Sequence, residues 1–188
     1  MKIGVLAIQG DFAEHVVMLK RLGVETVEVR LPNALEGLDG LIMPGGESTT
    51  FGKLSVDFGL LEPLREFGKM HAIWGTCAGA IFLSKDARRS QPLLGIMDIT
   101  VQRNAFGRQV DSFEADLTVP ELGNGGFYHA IFIRAPIIET VQGDARSLST
   151  LSDGRIVAAL QGKLLATSFH PELTNDTRFH EYFLTLAR

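Results

Sequence analysis

Residues 2–8 form a near-continuous apolar run, the pattern of a strand covered on both faces in a parallel sheet. Gln9-Gly10 turns the chain and Asp11 is a candidate N-cap. Phe12, Val16, Leu19 and Leu22 then recur at helical spacing until Gly23. Residues 24–29, rich in β-branched side chains, predict a second strand that Pro32-Asn33 breaks. Residues 38–43 predict a third, ending in Pro44-Gly45-Gly46. In a mixed segment after Thr50, Leu54, Phe58, Leu61, Leu64 and Phe67 keep roughly helical spacing. A short apolar strand at 71–74 follows, and then a small-to-apolar run at 78–83 that suits a helix. Strands alternating with helices predict a doubly wound α/β domain.

Beyond Leu83 the pattern changes. Residues 84–91 are polar, and 96–101, 112–119, 127–134, 155–161 and 164–169 read as strands. Turn signals at Asp153-Gly154 and Gln161-Gly162-Lys163 make the last pair a hairpin, so this half predicts antiparallel strands or an insertion. Phe179, Tyr182, Phe183 and Leu186 repeat at three and four within 176–186, an amphipathic closing helix. With no repeat, low-complexity tract or linker, residues 1–188 are expected to form a single domain.

Composition narrows the function classes. Of 188 residues, 45% are hydrophobic and 21% charged, and the formal charge is -4 with no basic run longer than Arg88-Arg89; a nucleic-acid partner is not expected. No apolar run approaches the roughly 18 residues needed to span a bilayer, so no membrane association is expected. The first apolar run is too short for a signal peptide, and one cysteine cannot close an internal disulfide. Both point to a reducing compartment, and the expected location is cytoplasmic.

That single cysteine carries the candidate chemistry. Gly75-Thr76-Cys77-Ala78-Gly79 lies between a predicted strand and a predicted helix, and small residues two before and two after are what a nucleophile elbow requires. The start of a helix favours thiolate, the reactive form. The competing reading is an inert, buried cysteine acting as a small hydrophobe. A nucleophile needs a base, and of the five histidines only His170 arrives with a partner: in His170-Pro171-Glu172, Pro171 favours extended backbone at His170, which lets Glu172 orient the imidazole. His15, His71, His129 and His180 read as structural. The glycines of Pro44-Gly45-Gly46-Glu47-Ser48 leave backbone N–H groups at the same sheet edge, so those of Gly46 and Ala78 are candidate oxyanion donors. The loop is not a nucleotide P-loop, because the spacing from Gly46 to Gly52 is one residue too long and Leu54 stands where Ser or Thr is needed.

Gly75-Thr76-Cys77-Ala78-Gly79 together with His170-Pro171-Glu172 resembles the class I, triad-type glutamine amidotransferases. Further stretches narrow the resemblance: Ala7-Ile8-Gln9-Gly10-Asp11, Pro44-Gly45-Gly46-Glu47-Ser48-Thr49-Thr50, the run from Asp98 through Arg103-Asn104-Ala105-Phe106-Gly107-Arg108-Gln109, Ile133-Arg134-Ala135-Pro136 and Ser168-Phe169-His170-Pro171-Glu172-Leu173. Together they are similar to the glutaminase subunits of two-component pyridoxal 5'-phosphate synthases. The resemblance implies a flavodoxin-like three-layer α/β fold, with a mostly parallel central sheet and an antiparallel portion in the second half. It implies hydrolysis of L-glutamine by Cys77, His170 and Glu172, without cofactor or metal. Gln9 would help order the oxyanion hole, and Gly46, Glu47, Ser48, Arg103, Ile133 and Arg134 would hold glutamine. The arginines suit its carboxylate and Glu47 its ammonium. The implied partner is a separate (β/α)8-barrel synthase subunit in a hetero-oligomer, with docking expected around Gln9 and Gly45-Gly46. A cysteine peptidase or chaperone-like hydrolase of the same architecture, and a silent binding module, remain the alternatives.

Overall fold

The structure, a computed structural model, describes residues 1–103, 112–123 and 126–188. In the first half β1 (Lys2–Leu6), α1 (Phe12–Arg21), β2 (Glu25–Val29), β3 (Gly40–Met43), α2 (Ser48–Asp57), α3 (Leu61–Met70), β4 (Ala72–Thr76) and α4 (Ala78–Leu83) follow the predicted alternation. The mixed segment after Thr50 divides into α2 and α3. Gly59, at φ +65, takes the left-handed turn that ends α2, and its N–H bonds Val56 O at 3.0 Å.

Ten of the strands among the described residues form one sheet. β1 pairs in parallel with β2 and β3, and β3 with β4; β4 pairs in parallel with β12 (Leu164–Thr167). The sheet continues through β11 (Ile156–Gln161), β9 (Ile137–Val141), β6 (Met97–Gln102) and β5 (Ser84–Asp86), while β10 (Arg146–Thr150) pairs with β11 beside this path. β12, β11, β9 and β6 run antiparallel in succession, the portion expected of the second half. β11 and β12 form the predicted hairpin around Gly162, whose φ is +56. β5, β9 and β10 are strands that the apolar pattern does not announce: Arg146-Ser147-Leu148-Ser149-Thr150 has one large apolar residue and owes its strand state to its pairing with β11. β7 (Ser112–Leu117) and β8 (Tyr128–Ile133) form a separate antiparallel ribbon, and α5 (Arg178–Leu186) closes the chain.

Alternating strand residues feed two cores. Leu41, Met43 and Ile73 face α2, α3 and α4, where Phe51, Leu64, Phe67 and Phe82 pack. Ile3, Ile42 and Trp74 face the other way, onto Leu19 of α1, Phe179 and Phe183 of α5, and Tyr128 and Phe132 of β8. This gives three layers, helix on sheet on helix with the ribbon in the second helical layer. Removing one of the fully buried aromatic side chains, such as Phe183, is expected to cost about 3–5 kcal/mol. The helix after β1 lies on one face and those after β3 and β4 on the other, so the winding reverses between β1 and β3. In open α/β sheets a crevice forms at the carboxyl ends of the strands flanking such a reversal. Among the described residues, no helix is long and apolar enough to cross a membrane.

Candidate active site

The carboxyl ends of β1, β3, β4 and β12, consecutive neighbours in the sheet, deliver Gln9, Gly45-Gly46, Cys77 and His170 to that crevice. Cys77 is held at φ 47, ψ -105, a conformation that L residues with side chains rarely adopt, and its N–H donates to Thr167 O at 2.8 Å. Such strain persists only where the surroundings impose it. Here they do: a Cβ on Gly75 would lie 2.5 Å from Gly79 C, and one on Gly79 only 2.0 Å from Met43 O. Both glycines of the motif are therefore required by the close approach of β4, α4 and β3. The thiol is buried at the start of α4.

His170 leaves β12 with its backbone N–H bonded to Ile131 O at 2.9 Å, and the bend at Pro171 turns Glu172 back beneath it. Nδ1 of His170 meets Glu172 Oε1 at 2.6 Å, with Asp11 Oδ2 at 3.6 Å. Burial opposes charge on the imidazole, but its hydrogen bonds to Cys77 and Glu172 and their negative charges outweigh burial and pull its pKa up to about 10. Burial raises the pKa of Glu172 above the usual carboxylate value, with the hydrogen bond and charge of His170 pulling against it. The arrangement favours an imidazolium bracketed by a sulfur and a carboxylate, the charge state in which a thiolate attacks and an imidazolium then protonates the leaving group.

Asp11 occupies the N-cap position of α1, yet its side chain makes no capping hydrogen bond; it points to His170 instead, a correction to its expected role. Asp11, His170 and Glu172 place ligand atoms within 4.8 Å of one another. Nδ1 of His170 is already engaged by Glu172 Oε1 at 2.6 Å, with Asp11 Oδ2 at 3.6 Å.

The cleft, of about 460 Å³, is lined by Cys77, Ala78 and His170 on the reacting side and by Gly46, Glu47 and Ser48 on the loop side. Arg103, Ile133 and Arg134 close it, so the set named from the resemblance converges, with Gln9 and Glu172 supporting it from behind. Asp11, Ile81, Pro136 and Leu173 also reach the cleft; all but Ile81 lie in the motif stretches that carry the resemblance, which gave them no site role. The loops interlock: Gly10 has φ +83, and a Cβ there would lie 1.8 Å from Gly45 O, which also accepts from Asp11 N at 3.3 Å. Gly46 has φ +142, and a Cβ there would strike the Gln9 amide at 2.5 Å. Gln9 Oε1 accepts from Glu47 N at 3.1 Å, while its Nε2 is buried without a hydrogen-bond partner among the described residues.

Glu47 has a structural task that the sequence did not announce. Its carboxylate caps α2, accepting from Thr49 N at 3.2 Å and Thr50 N at 2.7 Å, and also meets Arg103 Nη2 at 3.1 Å. Slight burial would raise its pKa, but the two backbone bonds lower it to about 2. Ser48 Oγ is buried beside the cleft with no hydrogen-bond partner among the described residues. Arg134 sits at φ 43, a second strained residue at the cleft. Ile133 is the outward residue of a strand whose alternate residues, Tyr128, Ala130 and Phe132, are buried; it therefore faces the cleft by strand parity. Of the motif from Asp98 to Gln109, residues 104–109 lie outside the described residues.

A family model described as the SNO glutamine amidotransferase family matches residues 5–187. A pyridoxal 5'-phosphate synthase subunit PdxT from Herpetosiphon aurantiacus is 60% identical over 191 residues, covering 99% of this chain and 100% of that one. The protein of the same name from Moorella thermoacetica is 57% identical, with 99% of each chain covered. A solved crystal structure of a glutamine amidotransferase superposes with TM-score 0.93 at 52% identity, covering 98% of each chain. PurLQS from Thermotoga maritima, at TM-score 0.71 and 15% identity with 100% of this chain and 99% of that chain covered, shares the fold. A mostly parallel sheet, a strained cysteine at its carboxyl edge and a full-length match lead to one assignment: the chain belongs to the SNO glutamine amidotransferase family.

Proposed function

We propose that this protein hydrolyses L-glutamine to L-glutamate and ammonia, as the glutaminase subunit of a two-component pyridoxal 5'-phosphate synthase in the cytoplasm. The observation that carries the chemistry is the strained Cys77 beside His170, itself held by Glu172 at 2.6 Å, at the mouth of a cleft of about 460 Å³. Cys77 Sγ attacks the side-chain amide carbon, and the negative charge that develops on oxygen is met by the N–H groups of Ala78 and Gly46. The C–N bond breaks as His170 protonates the nitrogen, and ammonia leaves. Water, deprotonated by His170, then cleaves the thioester to release glutamate and restore the thiol.

Arg103 and Arg134 supply cations for the substrate carboxylate, Glu47 an anion for its ammonium, and Ser48 Oγ a hydroxyl with no other partner among the described residues. Charged groups of both signs, set to grip the two charges of a free amino acid, disfavour the peptidase reading. Free ammonia at neutral pH is mostly protonated, so direct delivery to a partner favours productive use. A (β/α)8-barrel synthase subunit docking around Gln9 and Gly45-Gly46 would set the oxyanion loop as it binds, with the unpartnered Gln9 Nε2 as a local donor.

The experiment is steady-state glutamate production from glutamine by the chain alone and on titration with the synthase subunit. Cys77→Ala is expected to abolish turnover with its folding intact. Wild-type turnover in Cys77→Ala refutes the mechanism, whereas high activity of the isolated chain, unchanged on mixing, refutes only the coupling.

A further inference from the structure

Behind Glu172, on the side away from the thiol, two more histidines meet. His15 of α1 and His180 of α5 are both fully buried, and His15 Nδ1 lies 3.0 Å from His180 Nε2 although 165 positions separate them. The other nitrogen of His15, Nε2, lies 3.3 Å from Thr76 Oγ1 and 3.3 Å from Glu172 Oε2. Trp74 packs edge-on against both imidazoles, with ring centroids 5.7 Å and 4.9 Å away. Burial holds both rings neutral: it lowers His15 well below the ordinary value, aided by the charges of His180 and His170, and takes His180 down to about 3.

A neutral imidazole carries one proton, and its surroundings decide on which nitrogen. His180 Nδ1 has no hydrogen-bond partner among the described residues, so a proton there would be an orphaned buried donor. On Nε2 the same proton is donated to His15 Nδ1. His15 Nδ1 is then the acceptor, which puts the proton of His15 on Nε2, facing Thr76 Oγ1 and Glu172 Oε2. Oε1 of Glu172 is engaged by His170; among the described residues Oε2 has no well-aligned hydrogen bond, and the His15 N–H, whose aligned partner is Thr76 Oγ1, lies 3.3 Å away as the off-axis polar contact that packs against this second oxygen.

We infer that His15, its tautomer set by His180, is a positioning residue that holds the buried Glu172 carboxylate so that Oε1 faces His170 Nδ1. The inference rests on the proposed role of Glu172 in a Cys77–His170–Glu172 triad, and it makes the site a five-member array drawn from α1, the β4–α4 turn, the segment after β12, and α5. Outer-shell partners that orient metal-bound histidines and carboxylates change affinity or activity by about 10- to 100-fold when removed, and a loss of similar size is expected for a partner that orients a catalytic carboxylate.

The test measures kcat and KM for glutamine hydrolysis with the synthase subunit present, alongside thermal midpoints. His15→Phe is expected to lower kcat about 10-fold or more with KM unchanged. His15→Gln, which keeps an N–H near the Nε2 position, is expected to recover most of that loss. The double variant His15→Phe/His180→Phe leaves no orphaned imidazole, so it is expected to regain the thermal midpoint but not kcat. Wild-type kcat in the double variant, or kcat that follows the thermal midpoint with no rescue by Gln, overturns the positioning role. Glu172→Gln serves as the reference: if it retains wild-type kcat, the triad reading falls and this inference with it, whereas loss in Glu172→Gln beside full activity in the double variant removes only the inference.

Discussion

On the outer face of the β7–β8 ribbon, His129 meets Asp116 Oδ1 at 2.8 Å through Nδ1 and Glu114 Oε2 at 2.9 Å through Nε2. In the cleft, His170 meets Glu172 Oε1 at 2.6 Å through Nδ1, with Asp11 Oδ2 at 3.6 Å. Both histidines stand between two carboxylates, and in both the pKa is raised: by hydrogen bonds to Asp116 and Glu114 for His129, and for His170 by Cys77 and Glu172 against burial. They differ in access and in what remains free. The His129 side chain is 54% exposed and spends both ring nitrogens on carboxylates; that of His170 is 5% exposed and keeps Nε2 for the thiol. A histidine beside acids becomes a working base when its carboxylates lie on one nitrogen and the other is left to face the reacting group; His15, with Glu172 near one nitrogen but His180 on the other, does not qualify. His180 supplies the third case: burial, with the neutral imidazole of His15 as its hydrogen-bond partner, drives the ring to neutrality.

The largest effect should come from the same substitution at both positions. His170→Asn is expected to lower kcat for glutamate release by about 10^4-fold, since it removes the general base, while His129→Asn leaves kcat unchanged. Equal losses at the two positions would erase the distinction. Next come the carboxylates. Glu172→Gln should cost about 10^2-fold in kcat, less than losing the base itself, and Glu114→Gln with Asp116→Asn should cost nothing measurable in the same assay.

A backbone test isolates the elbow from the histidine. Gly79→Ala places a methyl group 2.0 Å from Met43 O, and the shift this forces should destabilise the fold by about 1–3 kcal/mol in denaturant titration and move Cys77 away from His170. Gly154→Ala, at a turn where φ is +87 but a Cβ meets nothing, should leave glutaminase activity untouched.

The smallest effects are those of pH. His170 is expected to titrate near 10 by NMR, and to fall in Cys77→Ala, where burial loses one of its two opponents. Its folded pKa lies above the unfolded value of about 6.5, so the stability it contributes is complete below pH 6.5 and is lost as pH rises through about 10. His129 has the same sign, its contribution lost as pH rises through its own raised pKa, but for the exposed cluster that dependence should weaken in about 1 M salt, where the Debye length falls to about 3 Å, more than it does for the buried His170. Thermal midpoints against pH, with and without salt, in wild type and His129→Asn separate the two.

Much of this site was legible in the chain because its requirements are local. A strand covered on both faces must be apolar along its length, which marked β1 and β3. An elbow that packs β4 and α4 against Met43 must be glycine on both sides of Cys77, and Pro171 between His170 and Glu172 bends them onto one another over two residues. The resemblance to glutaminase subunits added Gln9, Glu47, Arg103, Ile133 and Arg134, which spacing alone did not single out. Other features were settled only when the chain closed. β10 is a strand because β11 lies beside it, and α2 parts from α3 because Gly59 adopts the left-handed turn. Asp11 gives up its cap for His170, and Glu47 becomes one. His15 and His180, set aside as structural in the sequence, meet behind Glu172 because α1 and α5 pack on the same face of the sheet. The backbone preferences of a few neighbouring residues are written in their order, whereas which nitrogen faces which oxygen across 165 positions depends on the packing of layers that no local pattern encodes.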